Sequence, residues 1–267
     1  MAKFSCNFIS YTLKRTVDIT VVVPGVTIPE SMGMGFNSDA PPTCKHTRED
    51  KFPVLYLLHG YGNNHATWTG YTNLELYAEE RNIAVVMLSA ENKCYVNIGG
   101  DNFYDFIENE LPDFVCGMFP ISKRPEDTFI AGLSMGGYGT LVHALNNPEK
   151  FAALGALSAA ISINPASLAG GEDAAVDPKY DPAALAKKLN DEGGKFPKMY
   201  IACGDKDFLI EANTEFKDSL IAMGHEVEWS MMEGYGHEWR FWDIQIEKYL
   251  DWLPRTDAYA QVGRRQI

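Results

Sequence analysis

Positive charge is scarce in this chain. Against 36 Asp and Glu there are 23 Lys and Arg over 267 residues, a net charge of -13. A surface of that sign repels both nucleic-acid phosphates and anionic lipid, so neither polyanion is expected as a partner. No apolar run approaches the roughly 20 residues needed to span a bilayer. The opening residues, MAKFSCNFISYTL, hold no basic segment followed by a long apolar one, so no signal peptide is expected. Cysteine is sparse and odd in number. Cys6, Cys44, Cys94, Cys116 and Cys203 include no C-x-x-C pair, which argues against both a disulfide framework and a structural zinc. These absences lead to the expectation of a reduced, cytoplasmic protein. Internal repeats and low-complexity tracts are also missing, so one domain covering 1–267 is expected.

What is present is an alternation. FISYTLKRTVDITVVVP supplies two β-branched runs, expected to pair antiparallel. FPVLYLLHG, IAVVMLSA, TFIAGLS, AALGALSAA, KMYIACG and EVEWSMME follow. Between these runs lie helix-like patterns: NLELYAEERN, DNFYDFIENELPDFV, GTLVHALNN, EANTEFKDSLIAMG and WRFWDIQIEKYLDWL. Strands of near-continuous hydrophobicity separated by amphipathic helices mean a parallel sheet covered on both faces. The expected fold is therefore α/β: a mostly parallel eight-stranded sheet with an antiparallel N-terminal edge and helices on both faces. Two stretches interrupt the alternation. Residues 30–50, rich in Gly, Pro and charge, read as a long surface loop, and residues 160–196 read as an excursion with at most one helix, either a lid or a tolerated insertion.

Chemistry enters at TFIAGLSMGGYGTLVHAL. Gly132-Leu133-Ser134-Met135-Gly136 fits G-x-S-x-G, with a strand before it and a helix after it. A serine on so tight a turn needs small residues two positions either side, and the helix that follows aims its N-terminal amides at the reacting centre. The plain alternative is a turn serine. A nucleophile requires partners, and each has a candidate. His59-Gly60-Tyr61-Gly62 ends a buried strand upstream and would supply one oxyanion donor, Tyr61 N–H before Gly62, with the Met135 amide as the other. His59 itself reads as structural. Downstream, CGDKDFL offers Asp205 and Asp207 as the acid. Asp207, farther round the loop, is preferred, while either acid suits an ordinary turn. His237, in GYGHEW, is the one histidine that completes the order Ser, Asp, His. His46 and His225 fall in expected surface turns, His65 in the loop after the oxyanion glycines, and His143 on the helix after Ser134. Trp68, Ile161, Phe208, Leu209 and Trp239 are expected to wall the acyl pocket, whereas Phe241 and Trp242 read as the buried stripe of the last helix.

The stretches YLLHGYGNNHATW, ELYAEERNIAVVM, FPISKRPEDTFIAGLSMGGYGTL, CGDKDFL and GYGHEWRFWD resemble those of the esterase D/tributyrin esterase group of α/β-hydrolases. That group also contains S-formylglutathione hydrolases and bacterial feruloyl esterases. The resemblance implies a Ser134–Asp207–His237 triad, Tyr61 and Met135 as oxyanion donors, and no cofactor or metal. It implies hydrolysis of short-chain acyl, acetylated-sugar or hydroxycinnamoyl esters through an acyl-enzyme, with a small-molecule ester as the partner, and often a homo-oligomer. In one place the chain departs: Tyr61-Gly62-Asn63-Asn64 stands where formylglutathione hydrolases carry a thiol- and threonine-bearing stretch. Two other readings use the same residues. One is an acyltransferase in which an alcohol replaces water; the other is an inactive binding module.

Overall fold

The computed structural model describes residues 1–32, 51–168, 176–265 and 267. Eight strands form one sheet: β1 (Ala2–Ser10), β2 (Arg15–Val23), β3 (Val54–Leu58), β4 (Ala84–Leu88), β5 (Thr128–Leu133), β6 (Ala153–Leu157), β7 (Lys198–Gly204) and β8 (Val227–Met232). Their order across the sheet is β1-β2-β4-β3-β5-β6-β7-β8. β2 pairs antiparallel with both β1 and β4, and the pairs from β4 through β8 are all parallel. This is the sheet expected from the sequence, antiparallel edge included.

The strands read as unbroken apolar runs because both faces are covered. β3, β4 and β6 are buried at every position, and their side chains alternate between two cores. Val54, Tyr56 and Leu58 enter one core with Ala84, Val86 and Leu88. Leu55 and Leu57 enter the other with Val85 and Met87. Helices α1 (Leu74–Glu80) and α6 (Trp239–Trp252) cover the second core. Helices α2 (Leu111–Met118), α3 (Met135–Asn146), α4 (Pro182–Asp191) and α5 (Ile210–Ala222) cover the first.

The topology also locates the site. From β3 the chain winds outward to β4, then crosses back over β3 to lay down β5 on its other side. At such a reversal the loops leaving the carboxyl ends of adjacent strands part and leave a crevice. β3 ends at Leu58, just before His59, and β5 ends at Leu133, just before Ser134.

Two details differ from the sequence reading. The pattern DNFYDFIENELPDFV is no uniform helix: an α-turn at Phe103–Asp105 passes through a π-turn at Phe106–Glu110 before α2 begins. The cause is Pro112, which has no N–H to give the Glu108 carbonyl four residues earlier and whose ring crowds that carbonyl. Lys150 Nζ supplies the missing donor at 3.2 Å. In the 160–196 excursion, one-turn helix Pro165–Leu168 accompanies the ten-residue α4, where at most one helix was expected. Residues 169–175 of that excursion and 33–50 of the earlier loop, with Cys44 and His46, lie outside the described residues.

Candidate active site

The turn at Ser134 is strained and heavily held. Its backbone sits at φ 55 and ψ -115, a left-handed conformation that costs a residue with a Cβ about 1–3 kcal/mol. Three backbone bonds hold it there: Ser134 N–H to Leu157 O at 2.9 Å, and the Ser134 carbonyl accepting from Tyr138 N–H and Ala160 N–H, each at 3.0 Å. The flanking glycines are required by close approach. A Cβ on Gly132 would stand 2.4 Å from the Gly136 carbonyl oxygen. One on Gly136 would stand 2.4 Å from Leu58 O and 2.7 Å from His59 O, so the nucleophile helix is pressed directly onto the end of β3. Gly136→Ala is therefore expected to lower stability by about 1–3 kcal/mol. By moving Ser134 against the β3 loop it should slow phosphonate labelling of the serine about 10²-fold. Denaturant titration and labelling kinetics check both effects.

On the β3 side, Gly60 approaches Ser134 closely. A Cβ built on it would lie 3.5 Å from Ser134 Cβ and 2.5 Å from Leu133 Cδ1. Tyr61 follows with its side chain 55% exposed. Met135 is the first residue of α3, where backbone amides have no intrahelical acceptor. Met135 thus adjoins the serine along the chain, and Gly60 approaches it from the β3 side.

Of the two aspartates, Asp207 is the one paired with His237. Asp207 Oδ1 and Oδ2 lie 3.1 and 2.9 Å from His237 Nδ1, and Asp207 is buried. Asp205 instead accepts from Gly234 N–H at 2.6 Å and pairs with Lys206 at 2.8 Å, tying its loop to the one that carries His237. Burial pushes the Asp207 carboxyl upward, but His237, the Leu209 amide (2.9 Å) and the Ser158 hydroxyl together outweigh it, holding it below the usual carboxylate range. The His237 ring lies 4.7 Å from that of Phe208 and meets Trp242 edge-on at 4.8 Å.

Ser158 was missed by the sequence reading. It stands at the end of β6 as Ser134 stands at the end of β5, also with positive φ (46) and fully buried. Its Oγ accepts from Trp242 Nε1–H at 3.1 Å. An indole N–H only donates, so the serine proton is left for the Asp207 carboxylate. The available signal was a polar residue ending an apolar run at the carboxyl edge, the same signal that marks Ser134.

The other histidines have other tasks. His65 Nδ1 meets Thr20 Oγ1 at 2.7 Å, and His225 Nε2 meets Asn190 Oδ1 at 3.1 Å. His143, on α3, is fully buried between Glu108 and the Tyr95 carbonyl. His59 is buried, as expected for a strand-end histidine.

The five expected pocket residues separate. Phe208 is 76% exposed against His237 and offers open aromatic surface. Trp239 is half-buried and stacks on exposed Tyr71 at 5.1 Å. Trp68 is fully buried with its indole N–H on Leu58 O, so it presents no surface and acts by packing edge-on against Trp239. Ile161 is buried, and Leu209 contributes its backbone amide to Asp207. Phe241 and Trp242 are buried in the core as expected. Among the described residues no group of His, Cys, Asp and Glu could hold a metal ion, and no helix is long and apolar enough to cross a membrane.

A serine on a strained strand-to-helix turn, with a buried carboxylate–histidine pair at the carboxyl edge of a mostly parallel sheet, defines a serine hydrolase of the α/β-hydrolase fold. The comparisons narrow this. An esterase family model matches residues 33–253, and the chain belongs to that family. It is 32% identical to an acetyl esterase of Caldicellulosiruptor saccharolyticus, over 96% of this chain and 99% of that protein. It is also similar to FphF, a fluorophosphonate-binding serine hydrolase of Staphylococcus aureus solved with substrate bound (32% identity, TM-score 0.81, 94% of this chain and 98% of that one). An S-formylglutathione hydrolase of the same organism, FrmB, matches at 32% identity and TM-score 0.78, with the same coverage. The protein is thus a serine carboxylic ester hydrolase.

Proposed function

We propose that one domain carries two-step hydrolysis of short-chain acyl esters, with Ser134, His237 and Asp207 as its triad. His237 Nε2, the ring nitrogen that Asp207 does not hold, takes the Ser134 proton as Oγ attacks the ester carbonyl. The amides of Tyr61 and Met135 receive the oxyanion. The imidazolium then protonates the leaving alcohol, and water repeats the sequence on the acyl-enzyme. The observation that carries this reading is the pairing of buried Asp207 with His237 Nδ1, which fixes the tautomer that leaves Nε2 basic. The acetyl esterase relative supports a small acyl group. The free, mostly buried described cysteines Cys6, Cys94, Cys116 and Cys203 support a cytoplasmic setting.

A second reading, hydroxycinnamoyl ester hydrolysis, is favoured by one observation. The exposed Phe208 ring beside His237 could stack on a phenolic acyl group. Rates on p-nitrophenyl acetate, butyrate and octanoate and on methyl ferulate decide between them. The short-chain reading expects acetate and butyrate to be the best substrates, with methyl ferulate far slower. Comparable turnover of methyl ferulate and butyrate would transfer the assignment to the aromatic acid.

A further inference from the structure

The oxyanion reading makes a demand on the β3 loop. A peptide beside the nucleophile can present either its N–H or its C=O, and only the N–H stabilises developing negative charge. The residues around Gly60–Tyr61 show what determines the choice.

His59 comes first. Its Nε2 lies 3.0 Å from the Ala90 backbone N–H, a group that can only donate, so Nε2 must be the acceptor. The proton of the neutral ring therefore sits on Nδ1, which donates to the Gly60 carbonyl at 2.7 Å. Burial lowers the His59 pKa to about 4 against the opposing effect of its bond to the Gly60 carbonyl, with His65 adding a smaller push downward, so the ring is neutral near pH 7. Asn63 N–H donates to the same Gly60 carbonyl at 3.2 Å. In a planar trans peptide the C=O and the following N–H point oppositely. With the Gly60 carbonyl held by the histidine, Tyr61 N–H faces the other way, and it has no acceptor among the described residues.

Tyr95 holds the preceding peptide. Its hydroxyl donates to the His59 carbonyl at 2.7 Å, and its ring meets the His59 ring edge-on at 5.6 Å. It is fully buried at φ 64, directly after Cys94 at φ 53. Two consecutive left-handed residues with side chains are costly, and their joint result is to bring this ring under the end of β3. The ring also lies against α3: a Cβ on Gly139 would come within 2.6 Å of Tyr95 Cδ2. One side chain thus touches both the helix behind the nucleophile and the loop opposite it.

We propose that His59 and Tyr95 are positioning residues that lock the Gly60–Tyr61 peptide with its N–H facing Ser134, so that the oxyanion hole is formed before substrate arrives. The proposal rests on the acyl-enzyme reading of the site.

Tyr95→Phe removes a single oxygen and keeps the ring. It is expected to lower kcat on p-nitrophenyl acetate about 10- to 100-fold, below the 10²–10³ lost with an entire oxyanion donor, with KM nearly unchanged. Affinity for a phenylboronate, whose tetrahedral adduct places an oxyanion in the hole, should fall by a similar factor. His59→Leu should lose more in kcat than His59→Gln, whose amide keeps both a donor and an acceptor. If His59→Leu does not fold, Tyr95→Phe alone decides. Wild-type kcat and boronate affinity in Tyr95→Phe, with only a lowered Tm, would overturn the proposal while leaving the acyl-enzyme reading intact. Absence of Ser134-dependent turnover in the wild-type protein would overturn both.

Discussion

Ser134→Ala is expected to reduce turnover of every ester substrate by about a million-fold, the loss seen when a serine hydrolase forfeits its nucleophile. The fold should be untouched. Every hydrogen bond that holds the turn uses the backbone N–H or carbonyl of residue 134, and none uses Oγ. Alanine can occupy φ 55 at much the same cost as serine, so the melting temperature should stay within about a degree of wild type. Mass spectrometry after fluorophosphonate treatment supplies the second readout: a single adduct at Ser134 in the wild-type chain and none in the variant. Residual turnover above about one part in a thousand would show that the chemistry does not pass through this serine.

Asp207→Asn should cost about 10⁴-fold in kcat, the penalty known for the equivalent change in a serine-protease triad. An asparagine amide turned toward His237 donates where a carboxylate accepts, so Nδ1 becomes the acceptor and Nε2 carries the proton, leaving no base for Ser134. Asn can still accept from Leu209 N–H and the Ser158 hydroxyl, so the loss should be catalytic far more than structural. Acidification tests the same residue. Its folded pKa is depressed, so its contribution to stability is fully present above the ordinary value of about 3.9 and is lost only as pH falls through the lower folded value. An activity loss between pH 7 and 4 that Asp207→Asn abolishes, while keeping substantial turnover, would contradict the assigned roles. Asp205→Asn, whose amide oxygen can still accept from Gly234 N–H, should leave kcat near wild type.

Much of this arrangement was legible because the physics behind it is local. FPVLYLLHG and AALGALSAA read as central strands because both of their faces are buried, which leaves no polar alternation to confuse with a helix. G-x-S-x-G was readable because the contact of residue 136 with Leu58 O forbids a side chain. The Ser, Asp, His order reflects which strands carry the site. What stayed hidden depends on contacts between distant segments. Nothing near Ser158 announces that Trp242, 84 residues later, will bind its hydroxyl. Tyr95 looks like any aromatic after a strand until its left-handed backbone brings the hydroxyl to His59. Trp68 was expected to line a pocket from its place near the sheet's carboxyl edge, whereas it is fully buried, bonded to Leu58 O and packed edge-on against Trp239, far along the chain. The π-turn before α2 could have been read from Pro112, but its carbonyl's partner, Lys150, could not.

The last helix bears on how the enzyme comes to exist in a cell. Trp242 packs on His237 and anchors Ser158, and both it and His237 follow the serine turn at a long distance along the chain. A ribosome-bound chain can present the serine turn and the Gly60–Tyr61 loop while the proposed base, His237, is still unsynthesised. A product cut between the serine turn and His237 is therefore expected to be silent as an esterase while still carrying Ser134 on its strained turn.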